Sequence, residues 1–98
     1  MMAVTVTLAF SVKPERAEEF KGLLKELLPD TRAYDGCISV VVYQDQDNPG
    51  FIYLVEDWES KAHQQQYQAW RDGSGIADKI GPLLAGELRF NYFDKQDI

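Results

Sequence analysis

Two β-rich runs, CISVVVYQD from Cys37 and FIYLVEDW from Phe51, carry apolar side chains on both of their faces. In the first, Ile38, Val40 and Val42 stand against Cys37, Val41 and Tyr43; in the second, Ile52, Leu54 and Trp58 stand against Phe51, Tyr53 and Val55. QDNPG between them is dense in turn formers and joins the runs as an antiparallel hairpin. A solvated antiparallel sheet shows polar residues on one side, so a chain with this hairpin has to cover both sides. At 98 residues it forms one domain, spanning residues 1–98, with too little chain for a second core. The expectation is that the second face is buried against another copy, sheet on sheet, in a two-fold homodimer; the alternative is a face with a few exposed aromatics.

The remaining segments supply the other elements. Residues 4–12 alternate without a break, Val4, Val6, Leu8, Phe10 and Val12 against Thr5, Thr7, Ala9 and Ser11, which predicts a strand. KPERAEEFKGLLKELL follows, with Pro14 suited to a first helical position and Ala17, Phe20, Leu24, Leu27 and Leu28 at helical spacing. Pro29 interrupts the hydrogen-bond ladder, so PDTRAY is expected as a separate turn closed by Asp35 and Gly36. Ser60 is a good N-cap for a second helix from Lys61 to about Arg71, ended by Gly73, Ser74 and Gly75. IADKIGPLLAG reads as a short helix interrupted at Gly81 and Pro82, and ELRFNYF as a last strand. The order is β-α-β-β-α-β, an α+β ferredoxin-like arrangement (split βαβ): an antiparallel four-stranded sheet backed by two helices.

Charge narrows the partners. Ten Lys and Arg against 16 Asp and Glu give a net charge of −6, the wrong sign for a phosphate backbone or an anionic membrane surface. No stretch reaches the roughly 18 apolar residues of a membrane span, and MMAVTVTLAF lacks the pattern of a signal peptide. With one cysteine, Cys37, no internal disulfide forms, and a cytoplasmic location is expected. A single His and a single Cys without a spaced carboxylate motif give no zinc or iron ligand set. No G-x-G-x-x-G or Walker sequence occurs, so neither a metal nor a nucleotide cofactor is expected.

Chemistry concentrates on the second helix. An inward stripe at i, i+4, i+7 would carry His63, Tyr67 and Trp70, flanked by Gln66 and Arg71. These are aromatic and polar-tipped where the first helix presents Phe20 and leucines, which points to a cavity needing stacking and hydrogen bonds. The alternative is that Tyr67 and Trp70 are core residues with tips reaching backbone or solvent. His63, the only histidine, can exchange a proton near neutral pH, or can simply pair with Glu59 or the helix N-terminus. Arg32 and Arg71 can each stabilise a phenolate or carboxylate or stand in a surface ion pair, Arg71 being the closer to the aromatic stripe, and Trp58, at the end of the third strand beside the cavity, reads as core. Cys37 reads as a small hydrophobe.

VKPE after the first strand, TRAYDGCIS, the QDNPG hairpin, and Glu56, Trp58 and Ser60 of an E-x-W-x-S stretch together resemble the antibiotic biosynthesis monooxygenase (ABM) domain over nearly the whole chain. The resemblance implies a dimeric α+β barrel and, in one branch, a cofactor-independent oxygenase acting on quinols or polycyclic phenols with O₂. On that reading His63 accepts a proton, Tyr67 hydrogen-bonds the phenolate, Arg71 stabilises the anion, and Trp58, Trp70 and Gln66 bind substrate. Many members place a histidine where this chain has Tyr67. The haem-degrading branch carries an Asn on the first strand and a His after the second helix; Thr5, Thr7 and Ile76 stand at those places here. Two other functions fit the same fold: a small-molecule binding protein without turnover, and a lyase or isomerase for a cyclic metabolite.

Overall fold

The computed structural model describes residues 3–98. Strand β1 (Val4–Ser11) leads through a 3-10 turn (Pro14–Arg16) into helix α1 (Ala17–Ala33). Strands β2 (Cys37–Gln44) and β3 (Phe51–Trp58) form the hairpin, followed by helix α2 (Lys61–Asp72), a short helix α3 (Ile76–Ile80), a second 3-10 turn (Gly81–Leu83) and strand β4 (Arg89–Phe93). The sheet order is β2-β3-β1-β4, antiparallel throughout. This is the α+β arrangement expected from the β-α-β-β-α-β order. No helix among the described residues is long and apolar enough to cross a membrane.

Alternation decides which side of the sheet each residue serves. Val4, Val6, Leu8 and Phe10 of β1 and Ile52, Leu54 and Trp58 of β3 are buried beneath the helices, where they meet Phe20, Leu24 and Leu28 of α1. The opposite side carries Thr5, Thr7, Ala9 and Ser11 of β1. Beside them the register pairs Val41 with Val55 and Tyr43 with Tyr53. Val41 and Tyr43 are exposed in the single chain.

Three local expectations change. Val12 lies beyond β1 and makes an isolated bridge to Leu84, with Lys13 N–H donating to the Leu83 carbonyl. Pro29 lies inside α1 rather than ending it. Its ring and Lys25, whose carbonyl loses a partner, are both on the exposed side, which leaves the orphan group open to solvent. Meanwhile Leu27 and Thr31, two residues either side of Pro29, are held by bonds from α2. A bulge between Cys37 and Ser39 is the third change. It sets Cys37 opposite Trp58 against the core and leaves Ile38 exposed, exchanging the faces that simple alternation assigns them.

The α1–β2 connection turns at Gly36, whose φ of 90° lies in the left-handed region. Its carbonyl accepts from Glu59 N–H, tying the turn to the start of α2, and a Cβ there would lie 2.4 Å from the His63 ring. Backbone strain and the clash should each cost about 1–3 kcal/mol. Urea denaturation is expected to show Gly36→Ala destabilised by about 3 kcal/mol, with the Gly36→Ala/His63→Ala double variant recovering the clash but retaining the backbone share.

Candidate functional site

Between the sheet and the helices lies a cavity of about 80 Å³. Phe10, Phe20, Leu24 and Leu54 form its apolar floor, and Ile76, Ile80 and Leu88 close its outer side. Its polar end is built by Thr31 of α1, Glu56 of β3, and Tyr67, Gln68 and Arg71 of α2.

Helix α2 begins at Ser60, whose hydroxyl accepts from His63 N–H at 3.1 Å and meets His63 Nδ1 at 2.7 Å. Its buried residues are Gln64, Tyr67 and Arg71. The inward stripe therefore runs i, i+3, i+7 from Gln64, one position round from the expected His63–Tyr67–Trp70 stripe.

Arg71 is 7% exposed and its guanidinium is fixed at three points. Nε donates to Tyr67 Oη at 2.9 Å, and Nη2 donates to the Leu27 carbonyl at 2.9 Å and to Thr31 Oγ1 at 3.0 Å. Tyr67 Oη and Thr31 Oγ1 lie 2.6 Å apart and share a further hydrogen bond. The Trp70 ring, 4.7 Å from Arg71 Cζ, shields the cation from solvent. All of these partners are neutral, and Arg71 makes no ion pair among the described residues. A buried cation without a carboxylate partner is costly unless an anion completes its surroundings.

Glu56 faces Arg71 from the sheet. It is 3% exposed, and Oε1 accepts from Trp58 Nε1 at 3.0 Å. Burial pushes its carboxyl above the ordinary glutamate value, against the opposing influences of the Trp58 hydrogen bond and the Arg71 charge. The same burial effect, followed by the proximity of Glu56, raises the Tyr92 hydroxyl and the Cys37 thiol. Tyr92 donates to the Gln64 side-chain carbonyl, and Gln64 in turn donates to Gln68.

Of the six site residues drawn from the sequence, Tyr67 and Arg71 line the cavity. Trp58 is fully buried behind Tyr67, with ring centroids 5.1 Å apart. Trp70 is 45% exposed over Arg71. His63 is half-buried outside the lining, with Nε2 3.9 Å from Asp35 Oδ2, and Gln66 is exposed while Gln64 takes the inward place. Among the described residues no three His, Cys, Asp or Glu side chains converge as a metal site.

The sequence model of the antibiotic biosynthesis monooxygenase family matches residues 3–77, most of the chain and every element that builds the polar end of the cavity. The chain belongs to this family. A solved structure of a conserved protein from Methanosarcina mazei is 30% identical, with a TM-score of 0.88 over 98% of this chain and 95% of that one. Rv0793 from Mycobacterium tuberculosis (24% identity, TM-score 0.85, 98% and 97% covered) and a protein solved as an antibiotic biosynthesis monooxygenase (22%, 0.85, 95% and 98%) share the fold. A Synechocystis protein, sll1783, described as uncharacterized, is 33% identical over 51 residues; the match takes in 52% of this chain and 35% of that protein, about a third of its length.

Within this ABM domain, Thr31, Glu56 and Gln68 line the polar end of the cavity although residue type and helical spacing did not single them out. The signal for Glu56 was present, because alternation through Ile52, Leu54 and Trp58 puts the residue between them on the inward face.

A carboxyl raised in the folded state holds its proton where the unfolded chain has released it. Stability then falls as pH climbs from the ordinary glutamate value through the folded one. Replacing Glu56 by Gln removes this loss while an acceptor for Trp58 remains. Urea denaturation of the two proteins is expected to show the Glu56→Gln variant gaining on the wild type as pH rises above the ordinary glutamate value of about 4.3, with little difference below it.

Proposed function

We propose that this ABM domain is a cofactor-independent monooxygenase that oxidises a quinol or other phenolic small molecule with O₂. The observation that carries the reading is Arg71, a buried cation held only by neutral groups at the polar end of an otherwise apolar cavity. A phenolate oxygen beside Arg71 with its ring on the leucine and phenylalanine floor satisfies both ends. Stabilising the anion is the enzyme's main task, because an electron-rich phenolate reduces O₂ to superoxide and the two radicals combine as a ring peroxide. Loss of water then leaves the quinone, so substrate and O₂ supply all the electrons.

Tyr67 contributes through Arg71. Its hydroxyl accepts from the guanidinium and bonds Thr31, which fixes where the positive charge sits, while Trp58 and Trp70 pack behind Tyr67 and over Arg71. The cavity is about half the roughly 150 Å³ that admits benzene to a buried site, so a ring enters as α3 swings outward. None of the five residues of α3 is buried, and Gly75 and Gly81 flank it, which makes it the wall with the least to lose on opening.

Oxygen uptake by chelator-treated protein on a panel of hydroquinones and naphthols tests the reading against a no-protein autoxidation control. Uptake should exceed the control and fall by about 100-fold or more with Arg71→Met, as expected for the loss of one charge stabiliser; Tyr67→Phe should lose less. Ligand binding without uptake above the control would favour a binding protein on the same fold.

The open sheet face belongs in this reading to a second copy of the chain. Val41 and Tyr43 are exposed there, beside half-buried Phe51, Tyr53 and Val55, an apolar patch on β2 and β3 of the kind that two-fold pairing covers, with exposed Phe93 beyond the threonines of β1. A melting temperature that rises with protein concentration, and its loss together with a monomeric mass in Val55→Lys, are the expected results. A concentration-independent melt of a monomer would remove the dimer.

A further inference from the structure

Glu56 is the only charged side chain on the helix-facing side of the sheet among the described residues, with Leu54 and Trp58 on either side of it in the alternation and Val6 and Val40 across the strands. Burying a carboxyl in that setting is unfavourable, and its one hydrogen bond does not require an acid, since a glutamine oxygen can also accept from Trp58 Nε1. The bond does fix direction. With Oε1 held by Trp58, no other hydrogen bond reaches the carboxyl, and no fully buried polar side-chain atom among the described residues lacks a partner. Oε2 therefore borders open space, and the space that Glu56 lines is the cavity.

The other groups able to take a proton are committed elsewhere. His63 is engaged by Ser60 and faces Asp35 outside the cavity lining. Tyr67 Oη already accepts from Arg71 and shares its second contact with Thr31. The charged and titratable groups that face Glu56 are Arg71 and Tyr67 from α2, Tyr92 from β4 and Cys37 from β2; of these only Arg71 is a cation, and the two do not form an ion pair. A base on the sheet and an unpaired cation on the helix thus look across the same cavity.

We infer that Glu56 Oε2 is the proton acceptor for the substrate hydroxyl, and that the substrate is a phenol with an unsubstituted ring carbon ortho or para to that hydroxyl. The inference rests on the oxygenase reading and adds its acid–base residue. The O–H bond breaks, the proton goes to Oε2 and the electron pair stays on oxygen beside Arg71. After O₂ adds at the ring carbon, Glu56 returns this proton to the outer peroxide oxygen. The carboxylate then takes the hydrogen of the same carbon as a proton. The C–H pair becomes the second bond of the new C=O, the O–O bond breaks, and the departing hydroxide collects the proton from Glu56 as water. One O₂ and one phenol give one quinone and one water, with Glu56 restored as carboxylate. A carboxyl whose affinity for protons is enhanced by burial is better matched to a phenol than an exposed glutamate. The need for a ring hydrogen follows from the last step.

Two measurements test it. In oxygen uptake, Glu56→Gln should lower kcat by about 100-fold or more, the usual contribution of a positioned base, and abolish the rise of kcat with pH; a phenol blocked at every ortho and para carbon should give no quinone. Independently of turnover, a naphthol is added to the wild-type protein under argon, just above the pH at which Glu56 itself titrates, and the infrared difference spectrum is recorded. A new carboxylic-acid carbonyl band, absent from Glu56→Gln, is expected. Bound naphthol without that band, no binding of the naphthol, or a Glu56→Gln variant within about threefold of wild-type kcat would overturn the assignment even if the wild type consumes oxygen. The band without oxygen consumption would instead overturn the oxygenase reading and leave Glu56 as a proton-transfer site.

Discussion

The guanidinium of Arg71 is the joint between the two main helices. From α2 it reaches across to the Leu27 carbonyl and the Thr31 hydroxyl of α1, and it organises Tyr67 on its own helix. The bond to Leu27 falls two residues before Pro29, where α1 has lost a rung of its ladder, so the part of the helix that proline weakens is braced from outside. Charge-assisted bonds to carbonyl and hydroxyl acceptors are stronger than neutral ones. They do not neutralise the cation, however, so the same residue that joins the helices also gives the cavity its positive end.

That double role explains why the acid sits on the sheet and not within bonding reach. A glutamate paired directly with Arg71 would give a satisfied buried ion pair and an electrostatically quiet cavity. Trp58 instead holds one oxygen of Glu56, and burial tips the carboxyl toward its neutral form. Each group is thereby left short of a partner in a way that a hydroxyl-bearing ring can correct. The arrangement depends on strand register, because Glu56 pairs with Val6 and Val40 and a slip by one residue would turn it to the other face.

The fold was legible because its signals are local and repeated: unbroken alternation in β1, the turn formers between β2 and β3, Ser60 ahead of α2. The candidate site was legible in part. Side-chain chemistry at helical spacing points to α2 and to Tyr67 and Arg71, but a helix of 12 residues offers neighbouring stripes only a small rotation apart, and ring size favours Trp70 over Gln64 for the inward place. Packing decides otherwise, since Gln64 has Tyr92 and Gln68 as partners and Trp70 serves as a lid on Arg71. The bulge at Cys37 and Ser39 and the continuity of α1 through Pro29 have no sequence signature of their own. Both are settled by tertiary contacts, the first by fitting Cys37 against the core and the second by the bonds from α2.

The two sides of the sheet solve different problems with the same strands. On the helix side, burial is nearly complete and the one acid is placed where it costs stability, which a domain this small can carry only if other apolar surface is well used. On the open side, Val41, Tyr43 and Phe93 remain exposed in a single chain. Covering that surface by a second copy would add stabilisation without altering the cavity, because β3 presents Val55 and Asp57 to one side and Glu56 to the other. The same β3 register that turns Glu56 to the cavity would turn its immediate neighbours to a partner, so loss of the partner would reach the cavity through the strand and not through any shared side chain.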